Sequence, residues 1–304
     1  MTATGRLDNR RGELSAAGTT LSAGSLDNSD GLVAGTQTLD ATIQGAALNT
    51  RGTLVAGEEL ALKAGSLAND QGVVQSTAGS AQLDIGVALT NDQGRIIAGT
   101  DLDVRAGTLR NGDGGSLRAG NDLGVQVDGA MTHGGQLTAG RDTTVTAASL
   151  DAGRNSVLGA GVQSDGRLGA AGELRITTTD ALSAKGQNLA AGNATLQGAS
   201  VDLSDSQTGA RNIAITARQG DVATRSASVI TPGTLAITAN SQPAQTLAND
   251  AGRLQADQLQ IAVSNLANTQ GGQIVQTGTG DTTMAMVGTL DNDDGGIGSD
   301  RQNL

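Results

Sequence analysis

Residues 89–106 read LTNDQGRIIAGTDLDVRA, and three signals follow one another within that stretch. An L-x-N-x-x-G motif occupies 89–94. A G-x-[L/I]-x-A-G motif occupies 94–99 and shares the first motif's glycine. An alternating run then sets Leu102, Val104 and Ala106 apart by Asp103 and Arg105. Alternation with a period of two marks a strand with one buried face. A run this short makes neither an independent sheet nor an amphipathic helix, so it needs neighbours.

Repetition supplies them. The first motif recurs as LDNRRG at 7–12, LDNSDG at 26–31, LANDQG at 67–72, LRNGDG at 109–114, LANDAG at 247–252, LANTQG at 266–271 and LDNDDG at 290–295, with shortened copies LNTRG at 48–52 and MTHGG at 131–135. The second recurs as GTLVAG at 52–57, GSLRAG at 115–120 and GQLTAG at 135–140. Its closing glycines and looser equivalents, Gly18, Gly35, Gly57, Gly79, Gly99, Gly120 and Gly140, recur about every 20 residues, as do the leading positions Leu7, Leu26, Leu48, Leu67, Leu89, Leu109, Met131 and Leu150. Twenty residues with three short strand signals and glycine-rich corners make one coil of a parallel β-helix. With about 4.8 Å between strands, about 15 such coils would form a rod of roughly 70 Å. Leucine-rich repeats share the period, but their L-x-x-L-x-L-x-x-N pattern and helical return segment are missing. The expected fold is therefore all-β, a right-handed parallel β-helix, the hand following the preference of parallel crossovers.

Composition agrees with thin, regular layers. The 304 residues include 46 glycines and no Phe, Tyr, Trp or Cys. A core built on aromatic rings, which bury about 150–250 Å² each, is excluded, as are a disulfide scaffold and cysteine-ligated metal. Low bulk alone would suit disorder, but the repeat argues against it. The net charge of −11 disfavours nucleic acid as a partner. No apolar run reaches the length of a transmembrane segment, and the first residues, MTATGRLDNRR, lack the apolar core of a signal peptide.

The recurring letters have physical readings. Leucines in register would stack as interior knobs, and Ala56, Ala98, Ala119 and Ala139 would fill tapered places near corners. Glycines would allow positive φ or close backbone approach. Asn9, Asn28, Asn69, Asn91, Asn111, Asn249, Asn268 and Asn292 would occupy matching corners, where their amides could bond coil to coil as a structural ladder. From 153 to 246 the L-x-N-x-x-G motif disappears, while strand runs and corner glycines continue and both prolines, Pro232 and Pro243, occur. This divides the chain into a regular stretch (1–152), irregular coils with longer loops (153–246) and a second regular stretch (247–304). Loops at 153–166 or 221–234 are candidates to protrude and bind.

Catalytic chemistry finds little material. His133, the single histidine, stands where asparagine stands in other copies and reads as a swapped ladder residue. No G-x-S-x-G elbow is present. The acidic clusters at 27–30 and 291–294 do not continue through the copies: Asp27 is matched by Ala68, Thr90 and Arg110, and Asp30 by Gln71, Gln93 and Asp113. No continuous carboxylate column results, as glycosidic chemistry would need. The GDGG at 112–115 resembles a calcium turn superficially. No catalytic residue, cofactor site or metal site is expected.

The repeat, L-x-N-x-x-G-x-[L/I]-x-A-G followed by L-x-[L/V]-x-A, resembles the haemagglutinin repeat of filamentous haemagglutinins, the large exoproteins of bacterial two-partner secretion that include contact-dependent growth-inhibition toxin carriers. The resemblance is strong over 1–150 and 247–298 and looser between. It implies a right-handed β-helical filament, secreted to the cell surface through an outer-membrane β-barrel transporter, acting in adhesion, aggregation or toxin delivery against a host or neighbouring cell. The family's secretion domain and toxin module are not recognisable here, so the expected role is that of a stalk segment without catalytic activity. Two rival readings are a β-helical carbohydrate-active enzyme, with carboxylates converging from three adjacent coils, and a receptor-binding segment centred on 153–246.

Overall fold

A computed structural model describes residues 1–240 and 245–299; Pro243 lies outside the described residues. The chain is all-β, a parallel β-solenoid of about 14 turns with a repeat of about 21 residues. It divides into two compact units, one comprising residues 1–147 and 163–165, the other 148–162 and 166 onward.

In the first unit each turn has three faces. Face one carries a buried column of Leu26, Ala47, Leu67, Leu89, Leu109 and Met131, each opposite its equivalent one turn away. After the asparagine corner, face two carries Val33, Leu54, Val74, Ile96, Leu117 and Leu137. After a second corner, face three carries the longest buried runs. One of its columns reads Ala23, Ile43, Ala64, Ile85, Ala106, Val127, largely alternating small and large side chains. Neighbouring turns sit only about 4.8 Å apart, so each isoleucine fills space that the alanines above and below leave. That interdigitation closes the interior without a ring. Each fully buried Leu or Ile contributes about 1.5–3 kcal/mol.

The return from face three to face one is not a loop. Strands such as Leu60–Ala68 and Ala81–Thr90 run through both faces and bend at register shifts, between Ala64 and Ser66 and between Ile85 and Ala88. Glycines stack at this bend: a Cβ on Gly65 would lie 2.8 Å from the Gln44 carbonyl oxygen and one on Gly107 2.4 Å from that of Val87. Close approach, at normal φ, makes glycine necessary there.

The register corrects one reading of the sequence. Ala47, not Leu48, pairs with Leu26 and Leu67; Ala47 is 1% exposed and Leu48 39%. Because strand side chains alternate faces, a slip of one residue turns the leucine outward.

The second unit keeps the three faces. Face one runs Leu150, Leu182, Val201, Val222, Leu247, Leu266, and face three includes Ile176, Leu196, Ile215, Ile237 and Ile261. The loops expected in its irregular stretch are placed differently. Residues 153–156 form an ordinary corner, with the Ser156 N–H donating to the Gly153 carbonyl at 3.0 Å, and Val157–Ala160 is a strand in register with Gln187–Ala190. The irregular insert is 161–173, whose one pairing is an antiparallel bridge between Val162 and Leu168. Likewise 221–234 is mostly strand: Val222–Ala223 and Ser228–Ala239. Pro232 is accommodated because the register shifts between Thr231 and Thr234, where no N–H is required of it.

Candidate functional site

The most built feature is the asparagine corner. In the first unit Nδ2 of Asn9 donates to Oδ1 of Asn28, Asn28 to Asn49, Asn49 to Asn69, Asn69 to Asn91, and Asn91 to Asn111, each at 2.7 Å. From Asn28 to Asn111 these side chains are fully buried. Every bond points the same way, so the carboxamide dipoles align and reinforce one another. The second hydrogen of each amide is directed at backbone carbonyls: Asn28 reaches Gly31 and Thr53 at 3.3 and 3.1 Å, and Asn91 reaches Gly94 at 3.1 Å. Burial of so many amides is tolerated because each from Asn28 to Asn111 is bonded on both sides.

The corner backbone explains the motif's other letters. The residue two beyond each asparagine from Asn9 to Asn91 takes the left-handed conformation: Arg11, Asp30, Arg51, Gln71 and Gln93 have φ between 54° and 58°. The motif's glycine comes one residue later and serves close approach. The Asn111 corner is one residue longer, with Gly114 at φ 72° and Gly115 closest to the ladder. A Cβ on Gly72 would lie 2.1 Å from the carbonyl oxygen of Asn49 and 2.7 Å from Oδ1 of Asn69 in its own turn. Carboxamide and Cβ compete for one space.

His133 occupies the asparagine position, opposite Asn111, in a corner shortened to Gly134 and Gly135, and is 1% exposed. Its Nδ1 lies 3.1 Å from Nδ2 of Asn111. An amide nitrogen only donates, so Nδ1 accepts and the ring takes the tautomer protonated at Nε2.

In the second unit the register positions are Ala152, Ala184, Leu203 and Thr224, all buried, before Asn249 begins another ladder. The Thr224 hydroxyl donates to Asn249 Oδ1 at 2.8 Å; Asn249 then donates to Asn268 and Asn268 to Asn292, each at 2.7 Å. At Leu203 and Thr224 the glycine is replaced too, by Ser206 and Ala227, while Asp205 and Ser226 keep the left-handed φ; the shortened corner after Ala184 keeps Gly186, where a Cβ would lie 2.2 Å from the Ser156 carbonyl oxygen. Polarity moves instead to face two. There Asn188 and Thr208 interrupt the apolar column and bond each other at 3.0 Å, and Oδ1 of Asn188 has no partner among the described residues.

Two features escaped the sequence reading. Asn49 belongs to the ladder, hidden by the alanine at 47. A second polar column marks the corner before face three, where a side-chain oxygen accepts the next turn's N–H: Asp101 from Asp122, Asp122 from Asp142, Glu173 from Asn193 and Asn212 from Thr234, at 2.8–3.2 Å. The signal in the sequence is a polar residue just before the face-three strand, an aspartate in G-x-D at 99–101, 120–122 and 140–142 and other types later.

Outside, ion pairs join successive turns. Arg51 holds Asp30 through two hydrogen bonds, 2.7 and 2.9 Å, and Arg141 pairs with Asp122. These guanidiniums keep the Asp30 and Asp122 carboxyls below the usual carboxylate range. Burial pushes Asp202 and Asp27 up, but Lys185 and Ser204 around the first, and Ser29, Arg6 and Arg10 around the second, outweigh it and leave both lowered. Among the described residues no group of three or more His, Asp or Glu could hold a metal ion, and no helix is long and apolar enough to cross a membrane.

The sequence pattern of the haemagglutinin repeat matches residues 2–106, 76–127 and 101–186, more than half of the chain. The chain belongs to the haemagglutinin-repeat family. Among curated haemagglutinin-repeat relatives, Toxin CdiA of Yersinia pestis is 50% identical over 138 residues, covering 45% of this chain and 4% of that protein. The tRNA nuclease CdiA-2 of Burkholderia pseudomallei strain 1026b is 42% identical over 98 residues, covering 32% of this chain and 3% of that protein. The chain thus spans a small fraction of either relative's length. No solved structure matches it. The stacked corners are the architecture of this repeat, a solenoid segment.

Proposed function

We propose that this segment is a stalk: a stretch of filament in a large secreted exoprotein that holds an adhesive or toxic domain away from the producing cell. The observation that carries the reading is the repeated corner, which spends its buried polar groups on bonds between turns and leaves none converging on a substrate. The eight asparagines of the motif and Asn49 are structural in this reading. Family membership places the chain in the context of two-partner secretion. The specific partner proposed is the outer-membrane β-barrel transporter of the parent exoprotein, and the target a host or neighbouring cell surface. Both CdiA relatives are named as toxins or nucleases, and that activity would lie elsewhere in a parent protein.

Removing residues 47–66 deletes one whole turn, because Ala47 and Leu67 are register equivalents. A parent exoprotein lacking that turn should be exported and remain active, with shorter reach. Deleting residues 153–246 distinguishes the rival: loss of attachment by an otherwise exported protein would make that stretch a receptor-binding segment and overturn the stalk assignment for it.

A further inference from the structure

The outer surface of face two in the first unit differs in charge from the rest of this acidic chain. Reading along the turns, its outward positions are Glu13 and Ser15, Leu32 and Ala34, Thr53 and Val55, Val73 and Gln75, Arg95 and Ile97, Ser116 and Arg118, then Gln136 and the buried Thr138. Beyond Glu13 in the first turn, no acid occurs among them. Face three, by contrast, turns Asp40, Asp84 and Asp103 outward, and the corners carry Asp30, Asp92, Asp101 and Asp122.

Arg95 and Arg118 share this surface and, like Arg11, Arg105, Arg175, Arg211 and Arg253, form no ion pair among the described residues. Arg6, Arg10, Arg51, Arg110, Arg141, Arg154 and Arg225 each lie within 4.0 Å of an aspartate. Arg95 and Arg118 have no acidic partner among the described residues, and their register neighbours are Val73 and Ser116, and Ile97 and Thr138. They line one shallow depression together with Gln75, Ile97, Ser116, Gln136 and the Gly114–Gly115 corner. Toward lower residue numbers the surface continues as half-buried aliphatic side chains, Val73, Val55 and Leu32.

We propose that this surface docks an acidic segment of a partner polypeptide, whose carboxylates pair with Arg95 and Arg118 and whose aliphatic side chains cover Ile97, Val73 and Val55. Guanidinium and carboxylate match in bidentate geometry, and arginine beside aliphatic surface is the composition of an interface centre. The aliphatic surface favours a polypeptide over a sugar polymer, since the chain has no aromatic ring on which a sugar could stack. The proposal does not depend on the stalk reading.

The test uses the full chain and a fluorescein-labelled peptide of alternating Glu and Val, eight residues long. The peptide should bind in low salt at least tenfold more tightly than its Gln–Val counterpart. Substituting Arg95→Gln together with Arg118→Gln should weaken it at least tenfold, while Arg175→Gln on the second unit should not. In methyl NMR of the unsubstituted chain, the Ile97, Val73 and Val55 resonances should shift on titration, a readout independent of how the variants fold. The proposal is overturned if the peptide does not bind, if the double variant binds it equally, or if the shifts map elsewhere. It is also overturned if heparin, but not the peptide, binds in an arginine-dependent way, which would make the occupant a polysaccharide. Dimerisation of the chain alone that the double variant abolishes would make it a second copy, with the same consequence.

Discussion

The corners of the two units meet one geometric demand in two ways. From Asn9 to Asn111 each turn places a carboxamide in the corner and a glycine three residues on, and the amides bond each other. At Leu203 and Thr224 the same left-handed backbone is kept, an apolar or hydroxyl side chain fills the corner, and Ser206 or Ala227 replaces the glycine. At these two full-length corners asparagine and glycine leave together, because the carboxamide oxygen occupies the space a Cβ would need. At Gly31, Gly52, Gly94 and Gly252 that separation would be 2.3–2.7 Å. The shortened corners after His133 and Ala184 keep Gly135 and Gly186 against the previous turn's carbonyl. The ladder is thus one solution among two, and the pair of residues, not the asparagine alone, is its unit.

The largest effect should come from putting a Cβ where the ladder forbids it. Gly72→Ala places that atom 2.1 Å from the Asn49 carbonyl oxygen, and urea unfolding should show a loss of about 4 kcal/mol or more. Asn69→Ala should follow, because it leaves the Asn49 amide without its acceptor and Asn91 Oδ1 without its donor. A loss of about 2–4 kcal/mol is expected for two buried groups left unpaired. A loss under about 0.5 kcal/mol would mean the amides find other partners, and the contrast between the units would fall.

Grafting the ladder sharpens the comparison. Thr224→Asn alone should destabilise, since Ala227 fills the space its oxygen needs, and Ala227→Gly alone should cost about 0.5–1 kcal/mol in backbone entropy. Combined, they should recover most of the loss, with a coupling of about 1–2 kcal/mol in a double-mutant cycle. Additive losses would contradict the competition for space. In the ladder-free turns, Asn188→Leu with Thr208→Val restores the apolar column of face two and removes the Asn188 oxygen. Stability should stay within about 1 kcal/mol of the parent or rise, because both partners are replaced at once.

The smallest effect is acid sensitivity. The Asp30, Asp122 and Asp202 carboxyls titrate below their unfolded values of about 4, so their contribution is complete above pH 4 and is lost as pH falls through the lower folded values. Melting temperature should stay level between pH 8 and 5 and drop by only a few degrees between about pH 4 and 2 in 0.15 M salt, since exposed pairs are weak and screened.

Much of the fold is legible in the sequence because a solenoid asks the same thing of each turn. The period stands out in residues with one chemical role, such as the corner asparagines and the closing glycines. It blurs where several residue types meet one demand. Ala47 fills a leucine's place, so Leu48 is mistaken for its equivalent and Asn49 is overlooked. The corner before face three requires only an acceptor oxygen, which Asp101 and Asp122 provide in two successive turns and Glu173 and Asn212 later, so the letter does not persist along the chain. The glycine bend between faces three and one hides inside strands whose alternation continues across it. The insert at 161–173 follows an ordinary corner and strand, and nothing in its composition marks where the register resumes.

Hydrogen exchange of the asparagine side-chain amides, read by NMR on the nitrogen-labelled chain, tests the ladder most directly. The carboxamides of Asn28, Asn49, Asn69, Asn91 and Asn111 should exchange far more slowly than those of the less buried Asn193 and Asn212, at rates approaching those of the core backbone amides beside them. Exchange of all of these side chains at the rate of free asparagine would show that the corner amides are not joined, and the ladder would be refuted.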